Sequence, residues 1–132
     1  MYTGNCLCQR IAYEIDGELA PIQICHCKEC RQAQGTPFVT NIPVPADAFR
    51  LVRGDAFLKG YESSPGKWRM FCSECGAPIL SRRDSMPEVV RIRAGLLNED
   101  LDTRPARHAF VGEKANWWDI TDELPQYERS AK

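Results

Sequence analysis

Seven cysteines and two histidines stand in a chain of 132 residues. The cysteines fall in three clusters: Cys6-Leu7-Cys8, Cys25-His26-Cys27-Lys28-Glu29-Cys30 and Cys72-Ser73-Glu74-Cys75-Gly76. An odd number cannot all be consumed by intramolecular disulfides, and clustered thiols in a reducing compartment bind metal rather than one another. The geometry allows it. Residues i and i+2 of a strand face the same side about 6.6 Å apart, and tetrahedral zinc with Zn–S near 2.3 Å asks for sulfurs about 3.8 Å apart. Strand alternation would therefore let Cys6 share a metal with Cys8, and Cys25 with Cys27. Cys72-x-x-Cys75-Gly76 reads instead as a knuckle, in which the turn brings both thiolates round and the glycine lets the backbone curl back.

Counting gives a partition. A closed structural zinc site takes four ligands, which the separated pairs Cys6/Cys8 and Cys72/Cys75 supply. The local trio Cys25, Cys27 and Cys30 leaves one tetrahedral position open, the coordination of a catalytic zinc. Three thiolates on zinc form an anionic centre, a weaker Lewis acid than one with neutral imidazoles and so a poor hydrolase. Soft ligands favour a soft fourth ligand, and a substrate thiol held as thiolate fits that place. The chemistry expected is the making or breaking of a C–S bond. Other readings stay open at this level: disulfides among the paired cysteines, a Cys27–Cys30 disulfide or redox switch with Cys25 free, or a non-enzymatic binding module stapled by zinc. His26 lies between two candidate ligands, so alternation turns it to the opposite face, where it would line the pocket or support a ligand by a hydrogen bond. His108, in Arg104-Pro-Ala-Arg-His-Ala-Phe110, reads as a surface or core histidine on a strand, with a fourth-ligand role conceivable.

Lys plus Arg is 17 and Asp plus Glu is 18, a formal net charge of -1. Nucleic-acid binders carry a basic excess, so nucleic acid is not expected as a partner. Lys67, Arg69, Arg82 and Arg83 form the nearest approach to a basic patch, read here as a solvated face. The first residues lack a cationic start and an apolar run, and no stretch reaches the roughly 18 apolar residues of a membrane span. A cytoplasmic protein away from the membrane is expected.

The elements that must position the cysteines are short. Arg10–Ile15, Phe38–Ile42, Phe49–Val52, Ala56–Tyr61, Trp68–Phe71, Ile79–Ser81 and Val89–Arg93 read as strands, several rich in β-branched or aromatic residues. Asp16-Gly17, Arg53-Gly54-Asp55, Pro65-Gly66 and Gly76-Ala77-Pro78 punctuate them. One helical turn runs from Glu29 to Gln34 with Gly35 as its C-cap. Residues 1–132 are expected to form one mainly β domain, a small sandwich stapled by metal.

The motifs Gly4-x-Cys6-x-Cys8, Cys25-His26-Cys27-x-x-Cys30-Arg31 with Gly35 and Phe38, and Phe71-Cys72-x-x-Cys75-Gly76 resemble the glutathione-dependent formaldehyde-activating enzyme family. The tail Phe110-Val-Gly-x-Lys-Ala-x-Trp117, followed by Asp122-x-Leu124-Pro125, is similar to that family as well. The resemblance implies a β-tent fold of stacked antiparallel sheets. It implies a structural zinc on Cys6, Cys8, Cys72 and Cys75, and a labile catalytic zinc on Cys25, Cys27 and Cys30. It also implies carbon–sulfur lyase chemistry, the reversible addition of glutathione to formaldehyde giving S-hydroxymethylglutathione or a related adduct. Arg31, Gln34, Phe38, Phe71 and Trp117 are the substrate-binding candidates, with Arg31 suited to a bidentate carboxylate contact. One departure stands out: Gln9 occupies a position that is usually glycine in the family.

Overall fold

In the computed structural model, which describes residues 1–130, ten strands build two sheets. The smaller holds β1 (Tyr2–Asn5), β2 (Ala12–Ile15) and β5 (Phe49–Arg53), in the order β1-β2-β5. The larger runs β10-β3-β4-β9-β8-β7-β6, from β3 (Ile22–Cys25), β4 (Val39–Pro45), β6 (Leu58–Ser64), β7 (Lys67–Cys72), β8 (Pro78–Arg83), β9 (Met86–Arg93) and β10 (Pro105–Ala109). Every pairing between these strands is antiparallel except β10 with β3. The mainly β architecture expected from the short alternating segments is what forms.

Alternation sets the core. Tyr13 and Ile15 of β2, Ile42 and Val44 of β4, Leu80 of β8 and Ile92 of β9 are buried together with Ile11, Ile22 and Ile79. Cross-strand neighbours carry the contact through the large sheet, Ile42 opposite Ile92 and Ile92 opposite Leu80. Cys6 and Cys72 belong to the same cluster. Thus one cysteine cluster is part of the core. The other sits where β3 leaves the sheet for α1 (Lys28–Gln34).

That helix ends as its sequence demands. Gly35 takes φ 68 and returns its N–H to the Arg31 carbonyl, a left-handed cap that suits a residue without Cβ. Two expectations about the cysteines need correction. β1 stops at Asn5 and Cys6–Cys8 lie in a turn, while β3 stops at Cys25 and Cys27 is the N-cap of α1. Neither pair is gathered by strand alternation. Both are gathered by a change of direction, because a turn brings neighbouring sulfurs closer than a pleated strand does. In the first turn Gln9 sits at φ 66, the region Gly76 adopts at φ 78 after the second pair. A side chain there is strained. Gln9→Gly is therefore expected to stabilise the fold by about 1 kcal/mol, read as a higher urea midpoint with unchanged slope. The two hydrogen bonds that Arg53 donates to the Gln9 carbonyl, at 3.1 and 2.9 Å, are kept.

Candidate metal centres and the adjoining cleft

The first centre joins distant parts of the chain. Cys6 and Cys8 come from the turn after β1, Cys72 from the end of β7 and Cys75 from the turn into β8. Their sulfurs all lie within 4.8 Å of one another, with Cys6 to Cys8 at 3.6 Å and Cys8 to Cys72 at 3.7 Å. Backbone amides point at these sulfurs: Ile11 N–H donates to Cys6 at 3.3 Å, and Glu74 and Cys75 donate to Cys72 at 3.4 and 3.5 Å. Such donors stabilise thiolate over thiol. The backbone and guanidinium of Arg10 draw the Cys8 thiol down to about 6, whereas burial pushes Cys72 up to about 11. Four sulfurs at the spacing of a tetrahedral S4 set, each prepared by turn amides or a cation, fit a structural zinc.

The second centre is local. Cys25, Cys27 and Cys30 bring three sulfurs within 4.8 Å. Cys30 approaches Cys25 at 3.5 Å, and its amide donates to the Cys27 sulfur at 3.2 Å as the cap of α1. Hydrogen bonds from Cys25 and Cys27, helped by the Arg69 guanidinium, hold the Cys30 thiol far below its ordinary value. Arg69 Nη2 lies 3.7 Å from that sulfur and 3.0 Å from Glu29 Oε1, with Nε bonded to Ser63 Oγ at 3.1 Å. Among the described residues the groups within ligand reach of one another are these two sets, four and three. The three-sulfur set also suits zinc, with fewer protein ligands than a closed site needs.

Behind the trio lies a polar chain that the sequence did not announce as one unit. His26 is fully buried and its Nε2 is 2.8 Å from His108 Nδ1. His108 Nε2 in turn lies 3.0 and 3.1 Å from the two Asp122 oxygens. The carboxylate accepts the His108 Nε2 proton, which leaves His108 Nδ1 to accept from His26. His26 Nδ1 is buried without a partner, so its bare acceptor lone pair is the cheaper atom to orphan. Both nitrogens of His108 are thus engaged by His26 and Asp122. The chain ties β10 and the Asp122 loop to the strand end that carries Cys25. His108→Phe keeps the ring's bulk but leaves buried His26 Nε2 unsatisfied. A loss of about 1–3 kcal/mol is expected, measurable by chemical denaturation.

The substrate-binding candidates are dispersed. Arg31 donates to the Glu113 carbonyl at 3.0 Å, tying α1 to the tail. Phe38 packs between His26 and Trp118, with ring centroids 5.3 and 5.8 Å away. Trp117 is 66% exposed. Gln34 and Phe71 line one cleft, which shares Arg69 with the next. The cleft that reaches the trio itself, of about 230 Å³, includes Cys25 and Cys30 in its wall, and neither Arg31 nor Trp117 lines it. Its other walls include Gln23, Asn41, Lys67, Arg69, Arg91 and Arg107. The basic segment read as a solvated face is therefore a wall of this cleft, and Arg69 is buried. The signal was present as i, i+2 pairs: Lys67/Arg69, Ser81/Arg83 and Arg91/Arg93 each put polar groups on one face of a strand.

A mainly β chain that gathers seven thiols into a four-sulfur set against the core and a three-sulfur set, two of whose residues line a cleft, defines a class of metal-ready thiol proteins. Residues 1–113 match the sequence profile of the family described as "Glutathione-dependent formaldehyde-activating enzyme", and the chain belongs to that family. A Halomonas elongata protein named "Putative glutathione-dependent formaldehyde-activating enzyme" is 29% identical over 126 residues, covering 89% of this chain and 79% of that protein. A Schizosaccharomyces pombe protein named as an uncharacterised lyase is 31% identical over 78 residues, covering 59% of this chain and 55% of its own length. The crystal structure of a Rhodobacter sphaeroides protein shares the fold, with a TM-score of 0.64 at 22% identity over 79% of this chain and 99% of that one. No helix among the described residues is long and apolar enough to cross a membrane.

Proposed function

We propose that this chain is a zinc-dependent carbon–sulfur lyase acting on glutathione-type thiol adducts, with residues 1–132 working as one domain in a reducing cytoplasm. The observation that carries the reading is that Cys25 and Cys30 of the trio line a cleft, while the four-sulfur set packs with the hydrophobic core, Cys6 and Cys72 buried in it and Cys8 and Cys75 against it. Membership in a glutathione-dependent family supports the thiol substrate, and the name of the yeast relative supports the lyase class.

Cys6, Cys8, Cys72 and Cys75 would hold a structural zinc, and Cys25, Cys27 and Cys30 a second, exchangeable one. Bound at the trio, zinc supplies Lewis-acid activation of a thiol at neutral pH. The chain's own residues do the rest. Arg69 sets a positive charge beside the Cys30 sulfur and keeps the anionic trio compact. The His26–His108–Asp122 chain fixes the strand end behind Cys25. Gln23 and Asn41, cross-strand partners at the mouth, offer amide donors and acceptors to a peptide-like thiol. In the forward direction the substrate S–H proton is lost and a C–S bond forms to the aldehyde carbon. The aldehyde oxygen gains a proton, giving the hydroxymethyl thioether, and the reverse returns thiol and aldehyde.

Thiols add to formaldehyde unaided, so the test is the exchange rate. With zinc-loaded protein, carbon-13 exchange between formaldehyde and its glutathione adduct is expected to exceed the protein-free rate, and Cys30→Ser is expected to abolish the excess. An exchange rate equal to the protein-free rate would overturn the assignment.

A further inference from the structure

The cleft beside the trio carries a concentration of cations that the proposed chemistry uses only at Arg69. Lys67, Arg69, Arg82, Arg83, Arg91 and Arg107 line it, and among the described residues no Asp or Glu does. The whole chain is slightly acidic, with 17 cations against 18 anions, so this is segregation rather than general basicity. Glu29 pairs with Arg69 at 3.0 Å and Asp84 with Arg82 at 3.2 Å. Among the described residues no carboxylate pairs with Lys67, Arg83, Arg91 or Arg107.

Strand register places these cations together. Arg69 lies opposite Ser81, which lies opposite Arg91 across β7, β8 and β9. Lys67 lies directly opposite Arg83. Arg107, on β10, enters from the far side of β3 and its Gln23 partner. Like charges directly opposite on paired strands destabilise a sheet, and a face that keeps them has an arrangement suited to an anion. Arg93 adds to this. It is buried against Asn41 and Ser81, with Arg69 and Arg91 among the charges that hold its guanidinium below its usual value, after burial itself.

Glutathione at neutral pH carries two carboxylates and an ammonium, and among the described residues this wall offers cations for the carboxylates and no Asp or Glu. We propose that the cleft selects thiol adducts bearing a dianionic group, a phosphate or a dicarboxylate, over thiols of similar size that lack it. The dianion is held by Arg83, Arg91 and Lys67 while the sulfur end meets the trio. The inference rests on the proposed function only in the second clause, the meeting of sulfur and trio. Paired guanidiniums suit both groups, since each presents oxygens in the fork geometry that arginine matches.

Two matched pairs of thiols test it by calorimetry on the reduced, zinc-loaded full chain: mercaptosuccinate against 3-mercaptopropionate, and phosphopantetheine against pantetheine. Each pair differs by one anionic group. The more anionic member of at least one pair is expected to bind about tenfold tighter or more at low salt, with the ratio falling as salt is added. Arg91→Gln and Arg83→Gln, both at least partly exposed, are each expected to shrink that ratio. The pair that responds identifies phosphate or dicarboxylate as the source. Ratios near one in both pairs, or a ratio that survives both substitutions, would overturn the proposal. The absorption of cobalt-substituted protein separates the two readings. If anion selectivity holds and no thiol perturbs the cobalt bands, the lyase reading fails and the anion site stands. If all four thiols perturb them with equal affinity, the reverse is true.

Discussion

Cys75→Ser is expected to yield a protein that aggregates or fails to accumulate, lacks the core zinc and shows no cooperative unfolding transition. Cys6 and Cys72, its partners, are 1% and 0% exposed inside the hydrophobic cluster. The set links the turn after β1 to the β7–β8 turn, so it clamps the small sheet to the large one. A serine hydroxyl stays protonated at neutral pH and cannot take the place of a thiolate. Structural zinc in small domains contributes about 10–16 kcal/mol of apparent binding free energy, comparable to the whole stability of a typical domain, about 5–15 kcal/mol. Three ligands left facing one another in an apolar interior are then a liability. Circular dichroism, soluble yield and zinc content together read the result. A well-folded Cys75→Ser protein melting near the wild type would show that the fold does not depend on this set.

Cys30→Ser is expected to give the opposite separation: a folded, soluble protein that keeps the core zinc, loses the exchangeable one and drops in lyase activity by at least roughly 100-fold, beyond what loss of a supporting residue causes. Cys25 ends β3 and Cys30 stands on the first turn of α1, buried but outside the hydrophobic cluster that holds Cys6 and Cys72. Arg69 keeps its bonds to Glu29 and Ser63 when the Cys30 sulfur is replaced. The serine can still cap nothing worse than its own turn, because the N-cap acceptor is Cys27. Thermal unfolding beside the exchange assay measures both halves. Equal unfolding in Cys75→Ser and Cys30→Ser would contradict the division of labour.

Much of the candidate site was legible because cysteine spacing is local information. The Cys72-x-x-Cys75-Gly76 knuckle and the helix stopping at Gly35 follow from residues within a few positions of one another, and the partition into four and three from counting ligands per cluster, though Cys8 meets Cys72 across 64 residues. The strand segments around Tyr13, Ile42, Leu80 and Ile92 were legible from alternation. The means by which Cys6 meets Cys8 was not: a pleat and a tight turn both satisfy a one-residue spacing, and only the end of β1 at Asn5 decides between them. The parallel pairing of β10 with β3 joins Ala109 to Cys25, and the Asp122–His108–His26 chain joins residues 14 and 82 apart, to which no local pattern points. The cationic wall was misread for a related reason. Lys67, Arg69 and Arg83 look like a solvated run in one dimension. Only the registers of β7, β8 and β9 turn them, with Arg91, toward one cleft.

The most direct measurement of the central division is zinc per reduced chain during stepwise chelation, for the wild type and Cys27→Ser. Two zincs are predicted in the wild type, one released early and one retained until the fold is lost, and a single retained zinc in Cys27→Ser. One zinc in the wild type, unchanged in Cys27→Ser, would contradict it.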